Sequence, residues 1–236
     1  MRILIGLVVK DGKDFIDKWI ESIERIGCKF LVVDNGADYS VRQLLQSHPQ
    51  MVQYHIQTFP NRNQSRDYQK ILEMAKEEKA DWVWNLDIDE IVPYFNVDRF
   101  NYILLNSDCP SIGLPLVEMR NDDKHYVQIM DGDSTLKDGR LVHKIYKTLS
   151  HFAFDKNDIH GCSIPHNCER QKHHINLLIQ HFGHYTKELR EQKREREGHT
   201  KDEDEHLQTW MREDESKITI KKWEDLIVQW GDKLHL

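Results

Sequence analysis

"DWVWNLDIDEIV", residues 81–92, is an apolar run that ends in three carboxylates within four positions. Asp87, Asp89 and Glu90 repel one another if packed together without a counter-charge, because like charges at short range disfavour ionisation. The large apolar residues ahead of them span the length of a strand and read as one buried on both faces. Two arrangements make the carboxylates tolerable. Either they open a solvated loop, one of them capping a helix near residue 97, or a divalent cation sits among them.

Upstream, the chain repeats the same kind of unit. Ile3 to Val9 is a short run of aliphatic and β-branched residues, and "DGKD" breaks it. Phe15, Ile16, Trp19, Ile20 and Ile23 follow at helical spacing, and Gly27 closes that helix. "CKFLVV" (28–33) is a second buried strand ending at "DNGAD", and "MVQYHI" (51–56) is a third. Residues 64–79 read as a helix with Tyr68, Ile71, Leu72 and Ala75 inward. This alternation is the pattern of a parallel α/β sheet. Ligands in such sheets bind beyond the carboxyl ends of the strands. Asp11, Asp34 and the Asp87/Asp89 pair all stand there.

Beyond Asp89 the rhythm changes. "VDRFNYILL" (97–105) is helical, whereas "SIGLPLVEM", "HYVQIM" and "LVHKIYKT" read as antiparallel or mixed strands, and 174–182 as a last strand. The stretch "KELREQKREREGHTKDEDEH" is exposed helix and turn by composition. "KITIKKWEDLIVQW" is expected to dock back through Trp223, Leu226, Ile227 and Trp230. We divide the chain into a main domain, 1–185, and a charged helical appendage, 186–236.

At 236 residues and a net charge of -7, the chain holds one sizeable core and is no general nucleic-acid or membrane-surface binder. No apolar run approaches the ~20 residues that span a bilayer. The apolar start lacks a small-residue cleavage site and reads as a strand. The scattered cysteines, Cys28, Cys109, Cys162 and Cys168, have none of the density of a secreted scaffold, so a cytoplasmic setting is expected.

Four stretches in order resemble a GT-A-type glycosyltransferase of the family 2 kind, in the branch that shares a DxDE core. They are "LVVKDGKDFIDKWIESIERIG" with "FLVVDNGAD", "NRNQSRDYQKIL", "ADWVWNLDIDEIV" and "IQHFGHYTKELREQKRERE". The resemblance covers roughly half the chain and is loose over 95–175. It implies a GT-A (nucleotide-diphospho-sugar transferase-like) mixed sheet flanked by helices, with 1–185 as the catalytic domain, 1–92 its nucleotide-sugar-binding half and 93–185 its acceptor half. It also implies a nucleotide-sugar donor, most often UDP-linked, a divalent cation (Mn²⁺ or Mg²⁺) and a hydroxyl acceptor on a glycan, a lipid-linked molecule or another compound. By position it makes Asp34 a contact to the base or ribose and Arg66 a contact to the diphosphate. Asp67 stands where many members carry Asn, and a carboxylate there can pair with Arg66. Asp87 and Asp89 become donor and metal ligands, Asp89 the direct one, with Glu90 orienting them. "QHFGHY" is similar to the segment that supplies a metal-binding histidine, a role carried to His181 with His184 in reserve. Arg190 and Lys193 are candidates to close over the diphosphate, although an ordinary exposed helix face explains them as well.

An inverting transfer also needs a carboxylate base for the acceptor hydroxyl. Asp158 is the candidate named, with Glu118, Asp133 and Asp155 as others. "HGCSIPHNCERQKHH" (160–174) holds four histidines and two cysteines, yet five residues separate Cys162 from Cys168, outside standard zinc spacing. His160 or His166 lining the acceptor pocket reads as well as a plain surface loop. Two rival functions remain. A haloacid-dehalogenase-type phosphatase uses a strand-end Asp-x-Asp with the first Asp, here Asp87, as nucleophile. Its motif normally follows the first strand, and Glu90 and Ile91 depart from its pattern. The other rival is an inactive module that binds nucleotide or sugar.

Overall fold

A computed structural model describes residues 1–58, 63–120, 122–130, 136–137, 140–155, 163–168, 177–182, 186 and 218–230. The chain begins β1 (Ile3–Asp11), α1 (Ile16–Ile26), β2 (Lys29–Ala37), α2 (Tyr39–Ser47), β3 (Met51–Ile56), α3 (Gln64–Glu77) and β4 (Trp82–Asn85). It continues with β5 (Glu90–Ile91), α4 (Val97–Leu105), β6 (Ser111–Arg120), β7 (Asp122–Met130), β8 (Leu136–Lys137) and β9 (Arg140–Lys147). After these come β10 (Ile179–His181), β11 (Ile218–Lys222) and α5 (Trp223–Trp230). The mixed sheet flanked by helices is the α/β class expected from the sequence.

The main path of the sheet runs β11-β7-β6-β9-β4-β1-β2-β3. β1 is parallel to both β2 and β4, and β2 is parallel to β3. From β4 outward the pairings to β9, β6, β7 and β11 are antiparallel. The chain leaves β1 toward β2 on one side and later returns through α3 to place β4 on the other. This makes β1 the point at which strand order reverses, where α/β sheets hold ligands.

Strand alternation sorts the apolar residues into two clusters, one on each face. Ile3, Ile5, Leu7 and Val9 of β1, Phe30 and Val32 of β2, and Trp82 and Trp84 of β4 join one cluster with Trp19, Ile23 and Ile26 of α1 and Phe100 and Leu104 of α4. Leu4, Leu31, Val33 and Val83 face the other way and meet Tyr68, Ile71, Leu72 and Ala75 of α3, as well as Phe152 and Phe154. The inward residues read from the sequence of α3 are those buried. α2 has no counterpart in the sequence reading. It buries only Val41 and Leu45, one helical turn apart, which is too little periodicity to stand out.

Beyond α4, every residue of β6 is buried. β6 borders β9, β7 and the short β10, and β10 also pairs with β5. Of the expected last strand, Ile179–His181 is extended and paired, Leu177 and Leu178 are buried ahead of it, and 174–176 lie outside the described residues. The described part of the C-terminal segment is a strand as well as a helix. β11 pairs with β7, and Trp223 and Leu226 of α5 join the first cluster, as the sequence led us to expect.

Gly6, at the centre of β1, sets how closely α3 approaches. A Cβ there would lie 2.5 Å from Ile71 Cγ2 and 2.6 Å from Asn85 Oδ1. Overpacking of this kind costs about 1–3 kcal/mol. Urea unfolding of Gly6→Ala is expected to show that loss without a change in the slope of the transition.

Candidate active site

Leu86 continues from β4 by donating its N–H to Gly6 O (3.0 Å), and the chain then reverses in a tight turn. Glu90 N–H donates to Asp87 O, and Asp87 N–H donates to Glu90 Oε2, both at 3.0 Å, so the turn is closed from both ends. Its outer wall is the tip of β1. Asp11 there has φ 60, and Gly12 has φ 89 with a virtual Cβ 3.1 Å from Ile88 Cγ1. A side chain at Gly12 would press on the middle residue of the Asp-x-Asp.

Because 87–90 is a turn, its two aspartates diverge. Asp87 points toward α3 and β9, where Oδ1 accepts from the Tyr68 hydroxyl (2.9 Å) and Oδ2 from Lys144 Nζ (2.7 Å). Lys144 Nζ also lies 2.7 Å from Glu90 Oε1, and both of those side chains are almost wholly buried. Burial alone would deprotonate Lys144, but Asp87 and Glu90 more than offset it and hold the amine well above its ordinary pKa. Burial pushes Glu90 up to about 7, against the pull of Lys144 and with the help of Asp87.

Asp89 points the other way, toward β10. Its Oδ2 is 3.5 Å from His181 Nε2, and its carbonyl accepts from Phe182 N–H (2.8 Å). His181 turns Nδ1 to Glu118 Oε2 at 2.5 Å, across the β10–β6 register that pairs these two residues. Burial opposes charge on the ring, yet Glu118 and Asp89 outweigh it and push the pKa up to about 10.

A second node lies at the ends of β2 and β3. Asp34 is fully buried, and its four acceptor positions are met by Gly36 N (2.9 Å), Ala37 N (2.8 Å), Arg42 Nε (2.6 Å) and Tyr54 OH (2.8 Å). Burial raises its pKa, but these donors outweigh burial and hold the carboxyl below its ordinary value. Arg66, in the first turn of α3, directs Nε (2.9 Å) and Nη2 (2.8 Å) to one oxygen of Asp67. Gln57 donates to that same oxygen (2.8 Å) and Asn35 to the other (2.7 Å). The carboxylate that stands for the usual Asn thus pairs with Arg66, as its position suggested. Burial raises the Asp67 pKa in spite of those donors.

The structure therefore brings Asp87, Asp89, Glu90 and His181 together and places Arg66 two residues before the Tyr68 of α3 that contacts Asp87. Glu118, weighed as a base, lies buried behind His181. Asp155 is exposed, while Asp158, Asp133, His184, Arg190 and Lys193 lie outside the described residues. Of the 160–174 cluster, His166 is exposed and Cys168 is packed in the second apolar cluster; His160, Cys162, His173 and His174 are outside the described residues. The sequence reading missed Lys144 altogether. Its signal was a lysine in the middle of an apolar strand, with three carboxylates elsewhere short of a counter-charge.

As a cation site, the donor set fits in part. Asp89 and His181 offer a hard oxygen and an imidazole side by side, with Glu118 fixing the ring from behind as the outer partners of metal-binding histidines do. Asp87 is committed to Tyr68 and Lys144. Among the described residues, no group of three such side chains converges as a complete ligand set.

No protein-family model and no curated protein sequence matches the chain. Solved structures do. TarS of S. aureus matches over 63% of this chain and 28% of its own, with TM-score 0.42 and 14% identity. TarS 1–349 in complex with UDP matches over 63% and 47%, with TM-score 0.40 and 15% identity. TarS 1–349 in complex with UDP-GlcNAc matches over 63% and 46%, with TM-score 0.40 and 14% identity. This chain spans less than half the length of those proteins.

Removing one member of a buried charge pair strands the other, typically at about 3–5 kcal/mol. Lys144→Met is expected to lose that much in chemical unfolding, and Lys144→Met/Glu90→Gln to regain part of it. Asp34 supplies a pH test. A carboxyl with a lowered folded-state pKa contributes stability above its unfolded value, and that stability is lost as pH falls through the folded value. Asp34→Asn is expected to lose about 2 kcal/mol at pH 7, in line with charge-assisted hydrogen bonds. Its loss relative to wild type should shrink below pH 3.8, the ordinary value for this group.

Proposed function

We propose that this protein is a glycosyltransferase that moves a sugar from a nucleotide sugar, UDP-linked by sequence resemblance, to a hydroxyl acceptor. The observation that carries this reading is the convergence of the Asp87–Glu90 turn with His181 and Glu118 at the carboxyl ends of the parallel strands, beside the Arg66 node. Buried charge of this density at a strand-order reversal is where α/β enzymes place substrate phosphates.

In the proposed reaction the bond from the anomeric carbon to the diphosphate oxygen breaks, and the leaving UDP takes the electron pair. The acceptor oxygen bonds to that carbon and gives its proton to a carboxylate, Asp158 by the sequence reading, in an inverting transfer. Arg66, held in plane by Asp67, faces the diphosphate with a fixed guanidinium. Asp34 acts on the nucleotide through the 34–37 turn and through Arg42, both of which it fixes. Asp89 and His181 would hold a divalent cation, which would supply charge neutralisation at the diphosphate. Among the described residues no helix is long and apolar enough to cross a membrane.

The test is calorimetric binding of UDP, with GDP and CMP as controls, with and without Mn²⁺. Wild type is expected to bind UDP in a Mn²⁺-dependent way, with affinity at least tenfold lower in Asp89→Ala. Binding of GDP alone would change the donor, and phosphate release from phosphoesters with no nucleotide bound would replace this reading by the phosphatase.

A further inference from the structure

The two aspartates of the Asp-x-Asp do not share one space. Asp87 Oδ2 lies 2.7 Å from the Lys144 ammonium, whereas Asp89 Oδ2 lies 3.5 Å from Nε2 of His181, a ring held from its other side by Glu118. The separation is built into the backbone, since the reciprocal bonds between Asp87 and Glu90 hold the turn that aims the two side chains apart. Lys144 comes from the middle of β9, at the register shift in its pairing with β6, and the two residues after it, Ile145 and Tyr146, are fully buried. Its ammonium is anchored by two carboxylates at 2.7 Å, and its side chain is almost wholly buried.

Resting on the transferase reading, we propose that Lys144 is an internal counter-cation that removes Asp87 from the coordination of any divalent ion. The motif then contributes one metal ligand, Asp89, joined by His181. A divalent ion approaching Asp87 Oδ2 would come within contact range of the ammonium already bonded to that oxygen, and the two positive charges repel. On the other side, His181 meets the demands of a ligand whose second nitrogen is fixed by a carboxylate. Lys144 and Tyr68 are positioning residues: they set where the Asp87 carboxylate stands while leaving it partly open to solvent.

Electron paramagnetic resonance of Mn²⁺ alone, titrated with protein, separates the two aspartates without relying on turnover. Asp87→Asn keeps the Lys144–Glu90 pair and is expected to bind Mn²⁺ within about threefold of wild type. Asp89→Asn is expected to bind at least tenfold more weakly. In a Lys144→Met background, Asp87→Asn should instead lower Mn²⁺ affinity at least tenfold, because Asp87 is then released to ligate. Equal losses in the two single variants overturn the inference, and these alone decide it if Lys144→Met does not fold. If wild type binds no Mn²⁺ the inference also fails. UDP binding measured without metal then shows whether the transferase reading survives it.

Discussion

One ammonium group, that of Lys144, holds the site in its observed form. It bonds to Asp87 and Glu90 together, and through them it joins three parts of the chain: the middle of β9, the turn after β4 and the short strand β5. Tyr68 extends the same contact to α3. Two carboxylates this close and this buried cannot both ionise alone. The lysine lets the turn exist as a compact element where a solvated loop would otherwise be required. The nearby histidine has the same relation to Asp89 and Glu118. Four carboxylates are thus met by one lysine and one histidine.

The supporting scaffold is ordered by proximity to that point. β1 runs through the middle of the parallel strands, its glycine lets α3 settle close, and its tip braces Ile88. β6 does the equivalent on the antiparallel side, carrying Glu118 to β10 while pairing with β9. Site residues therefore come from β4, α3, β6, β9 and β10, elements far apart in sequence that only the sheet order brings together.

The parallel half was legible because strands buried on both faces leave continuous apolar runs, and amphipathic helices leave a 3.6-residue rhythm. The Asp-x-Asp, His181, Arg66 and its partner Asp67 were visible as sequence patterns at strand and helix ends. The sequence also posed the counter-charge question, and answered it with a divalent cation. It could not find Lys144, because a lysine in "LVHKIYKT" has the local pattern of an ordinary strand and its partners lie more than fifty residues away. The saturation of Asp34 was hidden for a similar reason. A turn-forming Asp-Asn-Gly says nothing of Tyr54 or Arg42, which complete its hydrogen bonds from β3 and α2.

The pairing of β11 with β7 makes residues 218–230 more than a surface tail. β11 closes what would otherwise be an open strand edge, with Thr219, Ile220, Lys221 and Lys222 left facing solvent. Two lysines on such an edge discourage further strands from adding to it. Were the segment to detach, β7 would present bare peptide groups and the apolar surface now covered by Trp223 and Leu226. A shortened chain would thus carry the defect at the far rim of its sheet, remote from the carboxylate turn, and self-association would be its first symptom.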